Sequence, residues 1–430
     1  MYFILIGGVV LLLLMGIRYT GDDVFNPANF LLLFTLFALL LALNLFDFWD
    51  LANYGEKATN IMLIGLGAFF IGALSVSQPN QHKIACYSHG IDGTINIGKS
   101  KRYFLLFVAL LASFVFYLYF RSHVSSVGMI AEYKEYRISG DAEMPAYINL
   151  LLKYVQTLAY FDVFILINNS LYGKFKESLS YLAAPLLFVF VSILSANRGN
   201  ILEMLMGASA CWYILYLKIR GFSKSMIKKV LKYGVVGLLV VLSLFFLSVV
   251  YLLNSEKDWS DTNPVTYVTF YVSGSIASLD VYFKQGGLPC RWWGEETFVT
   301  LNNNLSSLFG LSRRSQRFLE FREAINFSAV NIYTSFRRFY HDFGYFGVCF
   351  LSFLQGWISA KYYKYILKRK GQIHVDLPLC IYCCFFYTIP YTLTDELFYS
   401  SLVSISGIYR LSIIVFLYKY YFSNTRNSKL

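Results

Sequence analysis

Arginine is the residue type whose placement in this chain most invites chemistry. Arg198 stands in Ser195-Ala196-Asn197-Arg198-Gly199-Asn200, a polar turn between two apolar runs. A second group occupies one polar stretch: Arg291, Arg313, Arg314, Arg317, Arg322, Arg337 and Arg338, beside only Lys257 and Lys284. A guanidinium is a planar fork that makes bidentate, charge-assisted hydrogen bonds, so this preference over Lys points to phosphate recognition. An unpaired cation held at membrane depth costs up to about 2.5–3.5 kcal/mol. Glu203 is the nearest candidate partner for Arg198, and a snorkelling anchor is the competing reading. Two carboxylates are candidates for acid–base work, because desolvation raises and a neighbouring Arg lowers the affinity of such a group for its proton. Asp280 closes the segment Tyr271–Asp280 and is the more isolated; Asp342 opens a late apolar run and is spaced to pair with Arg338 across one helical turn. A helix over Leu311–Ile325 would set Arg313, Arg317 and Glu320 against an apolar side that still contains Arg314 and Arg322. A helix lying on anionic headgroups is the alternative for that stretch.

Other chemistries lack their motifs. The chain has no Walker A loop, no Rossmann glycine fingerprint, no G-x-S-x-G elbow and no paired-Cys zinc pattern. Cys380, Cys383 and Cys384 fall inside an apolar run without a His partner and read as small buried hydrophobes. The five His are scattered. The expectation is a reaction that needs no metal or cofactor and takes its energy from an activated substrate.

The elements that must position these residues are membrane helices. Of 430 residues 57% are hydrophobic, 19% aromatic and only 14% charged, where a soluble domain carries about 25% charge. Spanning a hydrocarbon core takes roughly 20 apolar residues. Such runs occur near Tyr2–Ile17, Asn29–Phe46, Asn60–Ser77, Tyr103–Phe120, Ile148–Leu171, Ser178–Ser195, Ile201–Leu217, Tyr233–Leu253, Phe343–Ala360, Leu377–Leu393 and Ser401–Tyr421. The fold class is therefore an all-α polytopic integral membrane protein with about eleven spans, between ten and twelve. The first run has neither a basic residue before it nor a small-residue cleavage site after it, so it reads as a helix and not as a signal peptide. Interfacial belts account for most of the aromatic excess.

The 37 Lys and Arg exceed the 25 Asp and Glu, but they lie between apolar runs, as topology signals do, and not as a nucleic-acid patch. One set of alternate loops holds Lys83, Lys99, Lys101 and Arg102; Lys174 and Lys176; Lys218, Arg220, Lys224, Lys228, Lys229 and Lys232; and Lys361, Lys364, Lys368, Arg369 and Lys370. The positive-inside rule puts these loops and the C-terminus in the cytoplasm. Three parts result: helices over 1–253, a long outer loop over 254–340, and helices over 341–430. Inside the loop, Pro264–Phe283 reads as a re-entrant or interfacial helix, because one extra crossing would break the charge parity; a true span with a missed partner is the alternative. Cys290 is alone in this loop, so no disulfide framework is expected.

Asn331-Ile-Tyr333-Thr334-Ser-Phe336-Arg337-Arg-Phe-Tyr340-His-Asp342-Phe343-Gly344, running into an apolar helix, resembles the signature of the Wzy-type O-antigen polymerases. Tyr271–Asp280 and Asn197-Arg198-Gly199 resemble two further segments of that family. Arg338 stands where Pro is frequent and His341 where an apolar residue is usual. The resemblance implies a glycosyltransferase-C-like architecture in the bacterial inner membrane, with the active face toward the periplasm. It also implies polymerisation of undecaprenyl-diphosphate-linked repeat units, one as donor and one as acceptor, with release of polyprenyl diphosphate. On this reading Arg198, Arg291, Arg314, Arg337 and Arg338 hold diphosphate, and Arg337 stabilises the leaving group. Asp280, ahead of Asp342, receives the acceptor proton, while Tyr333, Tyr340 and His341 contact glycan. Membrane lipids and a chain-length regulator are the expected partners. An O-antigen ligase and a lipid-linked oligosaccharide flippase are the competing activities, and a non-enzymatic scaffold the remaining class.

Overall fold

The computed structural model describes residues 1–79, 93–124, 133, 144–195, 197, 199–223, 264–311, 319–320, 322–324, 327–330, 332–369 and 375–422. Among them, eight helices are long and apolar enough to cross a membrane: Tyr2–Thr20, Pro27–Leu45, Glu56–Val76, Lys99–Arg121, Ala146–Leu171, Lys176–Leu194, Gly199–Arg220 and Ser335–Lys368. The chain is a polytopic helical membrane protein. Of the three other expected spans, Tyr233–Leu253 lies outside the described residues. Leu377–Leu393 is a shorter apolar segment that passes from α-helix into 3-10 turns ahead of and at Pro390, where the ring removes a backbone donor. Ser401–Tyr421 is divided into Phe398–Leu402 and Ile405–Phe422.

In chain order the helices are α1 (Tyr2–Thr20), α2 (Pro27–Ala42), α3 (Glu56–Val76), α4 (Lys99–Arg121), α5 (Ala146–Leu171), α6 (Ala183–Leu194) and α7 (Gly199–Arg220). They continue with α8 (Pro264–Lys284), α9 (Val299–Phe309), α10 (Ser335–Lys368), α11 (Leu377–Phe385), α12 (Phe398–Leu402) and α13 (Ile405–Phe422). A short antiparallel hairpin, β1 (Arg322–Ala324) with β2 (Phe327–Val330), precedes α10. It corrects the helix expected over Leu311–Ile325: Arg322–Ala324 is strand, and 312–318 lie outside the described residues. Asn326 breaks the helical pattern, and Phe327 and Val330 favour extended pairing.

The chain divides into two compact units. The first holds α1, α2, α3, α8, α9, the hairpin, α10 and α12. Its tightest packing is between α3 and α10. A Cβ on Gly72 would overlap the carbonyl of Phe353, and one on Gly356 the carbonyl of Phe69, so these glycines let the two backbones touch. Tyr363 of α10 donates to both oxygens of buried Asp23 at 3.1 Å, tying α10 to the α1–α2 turn. Helix α8 lies against α2 and the start of α3: Ser273 donates to the Ala38 carbonyl at 2.7 Å and Tyr54 to that of Ile276 at 3.1 Å. That packing carries the last turn of α8 to the N-terminus of α3.

The second unit holds α4, α5, α6, α7, α11 and α13 from Tyr409 onward. Asn169 of α5 pairs with the Ile95 main chain in both directions, at 2.8 Å each. Asp162, one of the two charges that interrupt the fifth apolar run, is buried and accepts from Tyr421 at 2.8 Å. Glu203 lies 3.9 Å from Arg410, which also donates to Tyr387 at 3.2 Å; Arg198, for which Glu203 was the candidate partner, lies outside the described residues. Cys380, Cys383 and Cys384 are fully buried, as expected of small hydrophobes.

Candidate active site

The Asn331–Gly344 segment builds its site at the start of α10. Arg337 and His341 are spaced i, i+4 and share one face of the helix. Gly344 then breaks the helix with φ 62° and ψ −153°, a region open essentially to glycine alone. A Cβ there would meet nothing within 4 Å, so backbone conformation is what requires the glycine. The turn ends a short helical foot carrying Arg337, Arg338, His341 and Asp342.

Against this foot packs the loop 285–298, and the two are joined by charge. Asp342 accepts the main-chain N–H of Glu296 at 3.1 Å and of Thr297 at 2.6 Å. Arg338 donates to the Glu296 carbonyl at 3.1 Å and pairs with Asp395 at 2.7 Å. The Arg338–Asp342 pair expected from spacing is therefore not made, because Asp395 and a carbonyl offer Arg338 closer acceptors.

Arg337 is fully buried. Its guanidinium lies between the rings of Tyr282 and Tyr333, 4.4 Å from each centroid. Its nitrogens meet Glu320 at 2.9 Å and Glu296 at 3.1 Å. A desolvated cation needs such partners, since burial without them would be prohibitive. Arg322 joins the cluster, 3.0 Å from Glu320 and 4.8 Å from the Tyr282 ring centre.

A cavity of about 340 Å³ opens beside these pairs, lined by Leu288, Pro289, Arg291, Glu295, Glu296, Leu319, Glu320 and His341. Small-molecule sites begin near this size, about 300 Å³. The carboxylates differ in environment. Glu295 is held by Arg291 through its side-chain and main-chain nitrogens. Burial pushes the Glu295 carboxyl up, but the Arg291 hydrogen bonds and charge, with His341 adding, outweigh it and hold the group below its ordinary range. For Glu296 burial wins: Arg337, His341 and Arg338 offset it only partly, Asp342 adds to it, and the carboxyl stays raised. Burial and Glu320 push the Tyr333 phenol up to about 12, so it remains protonated.

The structure brings some expected site residues together and separates others. Arg291, Arg337, Arg338, His341 and Asp342 converge, and Arg291 and His341 line the cavity. Asp280 does not line it. One oxygen accepts the N–H of Gly55, the N-cap of α3, at 2.8 Å, and the other meets Lys284 at 2.8 Å. Tyr333 is buried against Arg337 and donates to the Glu320 carbonyl at 3.1 Å. Tyr340 packs on Phe283 and Tyr345, with Lys57 over its ring. Arg198 and Arg314 lie outside the described residues. Sequence reasoning did not single out Glu295 and Glu296 and named Glu320 only beside Arg313 and Arg317, although the i, i+4 spacing of Arg291 and Glu295 was a readable signal.

Cys290, Glu295 and His341 place donor atoms within 4.8 Å of one another. Their chemistry does not suit a cation. Burial together with Asp342 and Glu295 raises the Cys290 thiol, and Glu295 is already committed to Arg291.

Fold and site together define a polytopic membrane protein with an ion-paired, carboxylate-lined cavity where the loop 285–298 meets the head of a long helix. Residues 23–399 match the family described as "Putative O-antigen polymerase", and the chain belongs to that family. No curated protein and no solved structure matches the chain.

Proposed function

We propose that the protein polymerises polyprenyl-diphosphate-linked oligosaccharide repeat units into O-antigen or a related surface glycan, at the periplasmic face of the bacterial inner membrane. The family match over 23–399 carries this reading. The cavity supports it, because glycosyl transfer from a lipid diphosphate needs a group for the incoming proton and cations for the departing charge. The acceptor hydroxyl attacks the anomeric carbon at the reducing end of the donor glycan, and undecaprenyl diphosphate leaves with the bonding pair. Preorganised cations are worth several kcal/mol at that developing charge. Arg291, whose side chain is 56% exposed at the cavity, is the arginine best placed to meet a diphosphate, with Arg198 and Arg314 as further candidates. His341 lines the cavity within reach of bound sugar. The periplasmic assignment of the loop rests on the basic residues in the loops on either side of it.

The test is the surface glycan of a strain lacking this chain. A single repeat on the lipid core, restored to a ladder by the wild-type gene, is the expected result. Complete loss of the repeat from the core would point to a ligase or flippase instead. Arg291→Ala should shorten or abolish the ladder at normal protein levels, with Lys restoring it only in part because it supplies charge without the fork.

A further inference from the structure

Resting on that glycosyl-transfer reading, we propose that Glu296 is the group that takes the proton of the attacking hydroxyl, and that Arg337 positions it instead of binding diphosphate. Four side chains in the cavity could accept a proton: Glu295, Glu296, Glu320 and His341. Glu295 is occupied by Arg291. Both oxygens of Glu320 take Nη2 of Arg337 at 2.9 Å, and one also takes Nε of Arg322 at 3.0 Å. Glu296 is different. Its main chain is clamped from both sides, its N–H by Asp342 and its carbonyl by Arg338. Yet its buried Oε2 has no hydrogen-bond partner among the described residues. Arg337 Nη1 stands 3.1 Å from that oxygen, near enough to pair but out of line for a hydrogen bond.

A fixed backbone ending in a carboxylate that is ion-paired at Oε2 but accepts no hydrogen bond there, at a cavity wall, suits a proton acceptor. Asp280, by contrast, accepts a main-chain hydrogen bond on one oxygen and meets Lys284 with the other. His341 supplies the exit: its Nε2 lies 3.8 Å from Glu296 Oε1 and its Nδ1 3.3 Å from the Tyr282 hydroxyl. In the reaction the hydroxyl oxygen bonds to the anomeric carbon as the carbon–oxygen bond to diphosphate breaks. The electron pair leaves with the polyprenyl diphosphate, and the proton passes to Glu296 and then by His341 to water. Arg337 is enclosed by Glu296, Glu320 and two tyrosine rings, so its charge is already balanced. Burial, then Arg337, His341, Arg338 and Asp342 on α10, set the proton affinity of Glu296; Glu320 lies beyond Arg337, and Glu295 is its chain neighbour. Burial outweighs the cations there, so the rate should rise with pH through a value above the ordinary carboxylate range.

The experiment measures chain extension by purified protein on polyprenyl-diphosphate-linked repeat units, over a range of pH. Glu296→Gln should still fold, because Glu320 keeps Arg337 paired, and should bind the lipid-linked donor, with a lower melting temperature, but turn over at least about 100-fold more slowly, the size of a general-base contribution. Arg337→Lys should move the acidic limb of the pH profile, which a merely structural role would leave in place. If the Gln variant does not accumulate, Glu296→Asp decides: a slower enzyme with a displaced acidic limb is expected, and an unchanged limb overturns the proposal. A Gln variant within about threefold of wild type also overturns it, on the same scale. Wild-type protein that extends nothing overturns the polymerase reading and this inference together; an active wild type with an active Gln variant overturns this inference alone.

Discussion

Asp342 stands four residues after Arg338, the spacing that pairs charges along a helix, yet it accepts the Glu296 and Thr297 N–H groups while Arg338 turns to Asp395. Asp342→Asn leaves one of those donors facing an amide, at a cost of about 1–3 kcal/mol for a buried polar group. Thermal stability and activity should fall together in a melting curve and a turnover assay on the same sample. Asp280 makes the complementary case. It carries negative charge to the N-terminus of α3, where the helix dipole favours it, and it meets Lys284. Asp280→Asn should reduce the amount of folded protein and leave activity per folded molecule near wild type. Lost turnover at full folding would return the base role to Asp280. The candidate arginines were legible because residue type and family signature point to them directly. The Glu296–Arg337 pair was not, because 41 positions separate partners that only the folded loop brings to 3.1 Å.

At the scale of elements, hydropathy located the membrane helices well, since a run of apolar residues has few places to go but the bilayer. Ends were less legible. The span expected at Phe343–Ala360 belongs to α10, Ser335–Lys368, whose charged foot and basic tail extend beyond any apolar window. The hairpin at 322–330 carried too short a pattern to compete with a helical reading. The break at Gly344 separates foot from span, and its backbone angles exclude a side chain without strain. Gly344→Ala should therefore cost about 1–3 kcal/mol, read as a lower melting temperature. Activity should fall further than folding alone explains, because the foot carrying Arg337 and His341 would be re-aimed. Gly72→Leu tests the α3–α10 contact: with the Phe353 carbonyl in the way of any Cβ, little folded protein should be recovered.

For the whole molecule, composition and charge parity fix the class and propose an orientation, while the family supplies the chemistry that no span or spacing encodes. Cys290 tests the orientation, being exposed and alone in the loop 254–340. In a variant with the six other cysteines replaced by Ser, an impermeant thiol reagent should label it in intact spheroplasts. Because burial and the neighbouring Asp342 and Glu295 raise the thiol, labelling should accelerate toward alkaline pH. Labelling only after the inner membrane is opened would reverse the proposed active face. The most direct test of polymerisation itself supplies purified protein with polyprenyl-diphosphate-linked repeat units alone, without nucleotide or lipid core, and counts linkages formed against polyprenyl diphosphate released. The account predicts a ladder of lengthening glycans with one polyprenyl diphosphate freed per linkage. Repeat units that stay single, or that are transferred only once lipid core is added, would contradict it.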